Sequence, residues 1–194
     1  VHAANERHPL EMYRFFRDEM HADHMQFIPI VERVDAAHAA TAENRWRRTD
    51  GSRLLYRQAG HHVTSRSVKP ESWGEFLDAV FDEWVRHDVG TTFVQQFDVM
   101  LGNMFGQYSL CVHAPQCGNA LVAAHNGDVF SCDHWVEDEY RLGNFLHEGF
   151  RDMIDSDRHR RFSGFKQNLP QDCRRCPVLW ACQGGCPKDR FLPD

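Results

Sequence analysis

Long apolar runs, a strong basic charge and, before residue 111, cysteine are all missing from this sequence of 194 residues. Because no apolar run is long enough to cross a bilayer, the chain is not predicted to span a membrane. The net charge of -6 provides no basic field to hold a phosphate backbone, which argues against nucleic acid as the main partner. No export signal is visible. We therefore expect a cytoplasmic protein with neither a membrane nor a nucleic acid among its partners.

The composition predicts a folded chain. Hydrophobic residues make up 42% of the sequence, which is enough for one substantial core or two small ones. The first residue is Val rather than Met, and the opening letters VHAAN resemble the end of a buried strand. We therefore expect this chain to be a piece of a longer protein.

The start of the chain predicts a helix, a strand and a long loop. Residues 9–21 begin with Pro and carry an apolar stripe, which indicates an amphipathic helix. Residues 24–32 are typical of a buried strand, although Pro29 requires an irregular end. The polar residues 34–68 predict a long loop with one short helix and a strand. The stripe of the helix consists of Met12, Phe15, Phe16 and Met20.

The clearest helix of the sequence is predicted over residues 70–87. Its apolar residues recur at steps of three and four, and Pro70 lies in the first turn. The following letters TTFVQQFDVML predict a strand that runs into a helical turn. This alternation of strands and helices predicts the trailing βα units of a larger α/β barrel. The apolar stripe, which we interpret as core packing, comprises Trp73, Phe76, Leu77, Val80, Phe81 and Trp84.

The second half predicts a small, loop-rich α+β region. The letters ALVAAHNGDVFSC contain two short strands around Asn126 and Gly127, a pair that strongly favours a hairpin. The letters RLGNFLHEGFRDMI are predicted to lead into one or two short helices. From Asn168 onward, prolines and glycines predict loops and tight turns.

All seven cysteines lie in this second half, with the spacing C-x5-C-x14-C-x40-C-x2-C-x5-C-x3-C. A disulfide framework usually has an even number of cysteines and an export signal, so we do not expect one. A single cysteine is often a small buried hydrophobe, but that interpretation fails for seven within one segment. The cysteines are Cys111, Cys117, Cys132, Cys173, Cys176, Cys182 and Cys186.

The cysteine spacing fits two metal chemistries. Structural zinc sites use four Cys or His ligands, and iron–sulfur clusters use four Cys thiolates each. Seven sulfurs supply one set of four and one set of three, so an eighth ligand is expected beyond Asp194, or a His completes a zinc site. The spacing alone leaves zinc and iron–sulfur clusters equally open.

The motifs CVHAPQC, NGDVFSCDHW, LGN and CRRCPVLWACQGGCPKDR together resemble the SPASM domain of radical S-adenosylmethionine enzymes. More closely, they resemble the anaerobic sulfatase-maturating enzymes. The letters NERHPLEMYRFFRDE, QFIPIVER and WGEFLDAVFDEWVRHDVG resemble the later part of that family's partial (β/α)6 barrel. The resemblance covers nearly the entire chain. It implies that residues 1–105 are the last part of the barrel with a linker, and that residues 106–194 are a SPASM domain truncated at its C-terminus.

The resemblance also implies the cofactors. Cys111, Cys117, Cys132 and Cys186 (the first cysteine set) would hold one auxiliary 4Fe–4S cluster, and Cys173, Cys176 and Cys182 (the second cysteine set) three irons of another. The family's eighth cysteine is absent here. Its C-x3-C-x2-C motif, which binds a third cluster and S-adenosylmethionine, is absent too. We therefore expect this chain alone to be inactive and to share the function of a longer parent enzyme.

In that family, a 5′-deoxyadenosyl radical takes hydrogen from Cβ of a Cys or Ser in a sulfatase polypeptide, and loss of an electron and a proton then leads to Cα-formylglycine. The resemblance implies a sulfatase polypeptide and an electron donor or acceptor protein as partners. It also implies that Asp133 is the base that takes the proton. The residues alone favour a plainer role for Asp133, as a turn cap or a hydrogen-bond acceptor near the cluster.

Other residues near the cysteines have plainer interpretations. His113, His125 and His134 flank the cysteines, but we expect surface or turn positions for them. Lys188 and Arg190 could offset cluster charge, but we expect a solvated terminus. Three other function classes stay open: a SPASM enzyme that crosslinks ribosomal peptides, a zinc-stabilised binding module and an electron-transfer protein.

Overall fold

The computed structural model describes residues 1–56, 59–118 and 120–190. The chain divides into two compact units, Val1–Asp98 and Val99–Asp194. The functional boundary at residues 105 and 106 stays a prediction. Over the described residues, no helix is both long enough and apolar enough to cross a membrane.

The first unit contains short strands and one long helix. Strands β1 and β4 pair in parallel, with His24 opposite Phe93 and Met25 opposite Val94. Strands β2 and β3 pair antiparallel. In chain order the elements are α1 (Pro9–Arg14), a π-helical turn (Phe15–Glu19), β1 (His24–Met25), β2 (Arg33–Val34), a 3-10 turn (Ala36–His38), α2 (Ala39–Glu43), β3 (His62–Val63), α3 (Pro70–His87), β4 (Phe93–Val94) and α4 (Gln95–Met104), which continues into the second unit.

Helix α3 has the bounds that the sequence predicts, Pro70–His87. Proline fits the first helical position because its missing N–H has no intrahelical acceptor there. Phe76, Val80 and Trp84 lie on one face and are buried. The indole Nε1 of Trp84 donates a hydrogen bond of 2.7 Å to the carbonyl of Thr92. Helix α3 packs along one side of the core of the first unit. That core comprises Tyr13, Met25, Phe27, Phe76, Val80, Trp84, Val94 and Phe97.

The helix predicted over residues 9–21 is present in two parts, and its predicted apolar stripe is partly wrong. Phe15 and Met20 are exposed, whereas Tyr13 is fully buried. The π-helical turn changes the residues per turn after Arg14, so side chains beyond it leave the face that a 3.6-residue period predicts. The Tyr13 hydroxyl donates a hydrogen bond of 2.7 Å to Asp88.

The strand predicted over residues 24–32 is shorter than expected. Only His24–Met25 forms a strand, and Pro29 lies in the irregular segment after it. The side-chain amide of Gln96 bonds to both the N–H and the carbonyl of Phe27. A side chain therefore takes the place of a neighbouring strand where the ladder ends. The long segment that follows contains α2 and β3, as predicted.

The second unit contains a three-stranded antiparallel sheet and short helices. The strand order is β5-β6-β7. In chain order the elements are a 3-10 turn (Cys111–His113), β5 (Val122–Ala123), β6 (Asp128–Phe130), a 3-10 turn (Asp138–Tyr140), β7 (Arg141–Asn144), α5 (Phe150–Ile154), α6 (Asp157–Gly164), a 3-10 turn (Phe165–Gln167), α7 (Gln171–Arg175), α8 (Leu179–Cys182) and a 3-10 turn (Pro187–Asp189).

Strands β5 and β6 pair across Asn126 and Gly127, at the predicted position of a hairpin. Gly127 has a φ of +88°, and an added Cβ would lie 2.7 Å from Oδ1 of Asn144. Strand β7 is not predicted by the sequence, because its letters RLGN are typical of the approach to a helix. Ion pairing and hydrogen bonding across the sheet hold it: Arg141 pairs with Asp128 at 2.5 Å, and the Asn144 amide donates to Asp128 Oδ1.

Candidate metal centre

The seven cysteines are all free thiols. Those of the first cysteine set come from four separate places in the second unit. Cys111 begins a 3-10 turn, Cys117 lies in the following loop, Cys132 comes two residues after β6, and Cys186 precedes the 3-10 turn Pro187–Asp189. Cys111 is exposed and the other three are half-buried. Only the tertiary fold can bring these four thiols into one region.

The thiols of the first set lie close enough to affect one another's charge. Burial raises the pKa of Cys117, and the thiols of Cys186 and Cys111 raise it further. Burial also raises the pKa of Cys186, with Asp189 and Cys111 adding to the shift. For Cys132, burial raises the pKa to about 12, and both Asp133 and Cys186 contribute. The four thiols therefore share one electrostatic environment, in which several thiolates without a counter-charge would repel one another.

The second cysteine set lies on α7, α8 and the turn between them. Cys173 is inside α7, and its carbonyl accepts a bond of 3.2 Å from the N–H of Cys176. Cys182 ends α8, and its sulfur accepts a bond of 3.3 Å from the N–H of Gly184. Gly184 and Gly185 have φ values of +74° and +64°. Residues with a Cβ rarely adopt such values, so the glycines allow the tight turn between Cys182 and Cys186.

Side chains and backbone groups hold these cysteine loops together. The amide of Asn103 donates to the carbonyls of His113 and Ala181, and so links the 3-10 turn at Cys111 to α8. The N–H of Cys117 donates to the carbonyl of Ser163 in α6. Within residues 1–56, 59–118 and 120–190, no group of three or more His, Cys, Asp or Glu side chains is arranged to hold a single metal ion.

Asp133 lies beside the first cysteine set and is exposed. Its Oδ1 accepts a hydrogen bond of 3.3 Å from the Cys132 thiol. The backbone N–H of His134 donates to the same sulfur at 3.5 Å, and Nδ1 of His134 lies 3.7 Å from the sulfur of Cys186. The Asp133 carboxylate therefore contacts Cys132 and is open to solvent, whereas the neighbouring His134 contacts Cys186.

Comparison with known proteins decides the family. Residues 111–177 match SPASM, an iron–sulfur cluster-binding domain. The chain is 43% identical to the serine-type anaerobic sulfatase-maturating enzyme of Bacteroides thetaiotaomicron, over 98% of its own length and 44% of the relative's. The chain belongs to the anaerobic sulfatase-maturating enzymes. It thus spans less than half the length of the curated relatives it matches.

More distant members agree with this assignment. The cysteine-type anaerobic sulfatase-maturating enzyme of Clostridium perfringens (strain 13 / Type A) is 24% identical over 95% of this chain and 44% of its own length. The solved structure "Native anSMEcpe with bound AdoMet" superposes with a TM-score of 0.74 at 24% identity, and covers 97% of this chain and 46% of its own. A structure of the same protein with AdoMet and Cp18Cys peptide gives the same TM-score, 0.74. This likeness shows that the chain shares their fold.

The structure corrects the solvated role expected for Lys188 and Arg190. Lys188 pairs with Glu137 at 3.2 Å, and its Nζ lies 4.2 Å from the centre of the Trp135 ring. Arg190 donates to the carbonyls of Gly184, Lys166 and Asn168. Both cations therefore help to hold the 3-10 turn Pro187–Asp189 of the second unit. The sequence does not predict these contacts, because Glu137 lies 51 residues from Lys188 and the carbonyls that Arg190 binds carry no sequence signal.

The three histidines near the cysteines occupy different positions. His125 is exposed in the β5–β6 turn, as expected. His134 is exposed too, but it contacts Cys186. The ring of His113 is half-buried, and among the described residues its Nδ1 is buried without a hydrogen-bond partner. Burial lowers the pKa of His113, and the nearby Lys166 lowers it further.

Proposed function

We propose that this chain is the auxiliary-cluster part of an enzyme that oxidises a Cys or Ser of a sulfatase polypeptide to Cα-formylglycine. The observation that carries the proposal is the 43% identity to a serine-type sulfatase-maturating enzyme along 98% of this chain. The SPASM match over residues 111–177 supports the same conclusion, because it includes five of the seven cysteines. In this proposal residues 1–105 complete a partial (β/α)6 barrel and residues 106–194 form the SPASM domain.

The thiols of the chain suit the clusters of that family. We propose that the first cysteine set holds a complete 4Fe–4S cluster and that the second set holds three irons of another. All seven candidate ligands are free thiols, and thiolates are the ligands that these clusters use. When bound, the clusters can carry electrons to or from a partner protein, and a third cluster with S-adenosylmethionine would belong to the remainder of the enzyme.

The role proposed for Asp133 is to accept the proton that the substrate releases. S-adenosylmethionine, bound by the remainder of the enzyme, would supply the chemistry that removes one hydrogen atom from the substrate Cβ. With a Ser substrate, the Asp133 carboxylate would take the hydroxyl proton while one further electron passes to the electron acceptor, which leaves the aldehyde. Asp133 directly follows Cys132, so a cluster bound to Cys132 would fix the backbone beside it and limit the orientations in which the exposed carboxylate meets a substrate. A positioned carboxylate of this kind is a suitable general base.

The identities favour serine as the oxidised residue. The relatives named as serine-type include the one at 43% identity, whereas the cysteine-type relative of Clostridium perfringens (strain 13 / Type A) is at 24%. We therefore propose a sulfatase polypeptide with Ser at the modified position as the preferred partner. An electron donor or acceptor protein is the second partner.

The experiment that tests this function uses the full protein carrying this sequence, reconstituted with iron and sulfide without oxygen. We expect iron, a broad visible absorption and conversion of a sulfatase peptide to its aldehyde, measured by mass spectrometry alongside 5′-deoxyadenosine release. Paired peptides that differ only in Ser or Cys at the modified position test the preference. A crosslinked peptide would indicate a different SPASM enzyme. Stoichiometric zinc without iron in protein from iron-replete cells would indicate a structural module.

A further inference from the structure

Lys166 is a buried lysine in the second unit. It lies in the 3-10 turn Phe165–Gln167 that follows α6, and it is only 1% exposed. Its Nζ donates to the backbone carbonyls of Cys111, at 2.5 Å, and Val112, at 2.7 Å. An ammonium group has three donors, so these two carbonyls use two of them. The side chain is therefore fixed against the loop that carries the first cysteine.

A buried ammonium group is costly unless a negative charge compensates it. Within the described parts of the chain, no carboxylate is within 4.0 Å of Lys166 to form an ion pair. Lys188 is different, because it has Glu137 as its partner. The Lys166 ammonium instead lies against the backbone of Cys111, whose sulfur belongs to the first cysteine set. The buried ammonium therefore needs an anion from another source, and the first cysteine set is the candidate site beside it.

The residues around Lys166 also hold the loops of Cys111, Cys117 and Cys186. One turn earlier, the carbonyl of Ser163 accepts the N–H of Cys117 at 3.2 Å. The carbonyl of Lys166 accepts Nη1 of Arg190 at 3.1 Å, and Nε of Arg190 donates to Gly184 at 2.9 Å. Through these bonds, residues 163–166 contact the segments of Cys111, Cys117 and Cys186.

We propose that Lys166 is a positioning residue that acts as the buried counter-cation of the first cysteine set and of the cluster that this set would hold. This inference rests on the proposed function. Four thiolates give such a cluster a net negative charge, and reduction adds one more. A fixed cation in a poorly solvated region stabilises the reduced form more than the oxidised form. Lys166 should therefore both retain the cluster and raise its reduction potential.

The test uses four substitutions in the full protein carrying this sequence. Lys166→Met removes the charge and keeps the length of the side chain, and Lys166→Arg keeps the charge. Lys69→Met is the matched control, because Lys69 is exposed and belongs to the first unit. Cys117→Ser identifies the spectroscopic signal of the first cluster as the one that it removes. The readouts are the rate of iron release to a chelator and the midpoint potential from a redox titration followed by electron paramagnetic resonance.

For Lys166→Met we expect iron of the first cluster to be released at least ~10-fold faster, equivalent to about 1.4 kcal/mol, and the midpoint potential to become more negative. Lys166→Arg should keep the wild-type potential even if its larger head group speeds iron release. The proposal is overturned if Lys166→Met and Lys166→Arg shift the potential equally, if Lys166→Met leaves both readouts unchanged, or if both variants fail to fold. If the unaltered protein binds no iron, the proposed function itself fails, which is a distinguishable result.

Discussion

The two units of this chain are stabilised in different ways. In Val1–Asp98, eight buried apolar residues form one cluster around α3, a helix of 18 residues. In Val99–Asp194, no helix lying wholly inside the described part of the unit is longer than the eight residues of α6. Apolar burial is the main favourable contribution to folding, so the first unit can fold by packing. The second unit has less to pack, and the bonds that hold its cysteine loops are mostly to backbone carbonyls. We infer that bound metal would stabilise the second unit far more than the first.

Removal of iron should destabilise the second unit much more than the first, and this is the largest effect that we expect. Structural metal supplies folding free energy directly when the site does not exist in the unfolded chain. We expect the amides of residues 111–190 to lose protection from hydrogen exchange after chelation, whereas those of α3 keep theirs. Exchange followed by mass spectrometry on loaded and chelated protein measures this. Equal protection of residues 111–190 in both states would show that the second unit folds without metal.

Phe76→Ala should destabilise the first unit much more than the second. The Phe76 ring is fully buried and lies 5.3 Å from the ring of Phe27, between centroids. Removal of a buried Phe leaves a cavity and typically costs about 3–5 kcal/mol. Denaturant unfolding, with hydrogen exchange to separate the units, measures the loss. Phe81→Ala is the matched control on the same helix, because Phe81 is 42% exposed and should cost much less.

Asp133→Asn should affect chemistry while leaving both units folded. Asparagine keeps the shape of the side chain but cannot accept the proton, so we expect formylglycine formation to fall ~100-fold, which corresponds to about 2.7 kcal/mol in the barrier. Iron content and 5′-deoxyadenosine release should stay unchanged.

Asp155→Asn is the control for this change, because Asp155 is also an exposed carboxylate of the second unit. Full peptide turnover by Asp133→Asn would show that Asp133 is not the base and has a structural role only. Loss of iron in parallel with activity would show that it supports the cluster instead.

The smallest expected effect concerns the pH dependence of the first unit. Burial acts to raise the pKa of Glu32, but hydrogen bonds from Thr64, Trp46 and Arg66 outweigh it and lower the pKa below its ordinary value of 4.5. A carboxyl whose pKa is lowered by folding stabilises the folded state above its unfolded pKa, and this contribution is lost as pH falls through the folded pKa. Stability contributed by Glu32 should therefore be complete at neutral pH and decline below pH 4.5.

Glu32→Gln tests that prediction by thermal or denaturant unfolding between neutral pH and pH 3. We expect the free energy of unfolding to fall by about 1 kcal/mol at neutral pH, in the range of a single intramolecular hydrogen bond, and this loss to shrink as the pH falls. A loss that does not depend on pH would show that the glutamate contributes through packing or neutral hydrogen bonds only.

Local patterns were enough to predict several elements correctly. Helix α3 has its predicted bounds because its period, its first-turn proline and its burial all favour the same helix. The pair Asn126-Gly127 predicts a turn because both residues accept left-handed conformations at little cost. The π-helical turn after Arg14 and the short strand β7 were missed, because tertiary contacts determine them. Tyr13 is buried where its hydroxyl can reach Asp88, which is 75 residues away in sequence.

The sequence by itself determined the family, the seven candidate ligands and the long helix, because spacing and period are local properties that a chain carries before it folds. The family resemblance already grouped the thiols into two sets, and only the tertiary structure decided which cation lies beside the first of them. Lys166 shows why: 55 residues separate it from Cys111, and nothing in the neighbouring letters distinguishes it from a surface lysine. Its burial and its two carbonyl partners exist only after α6 packs against the cysteine loops, because a charge acquires its energy from surroundings that the fold creates.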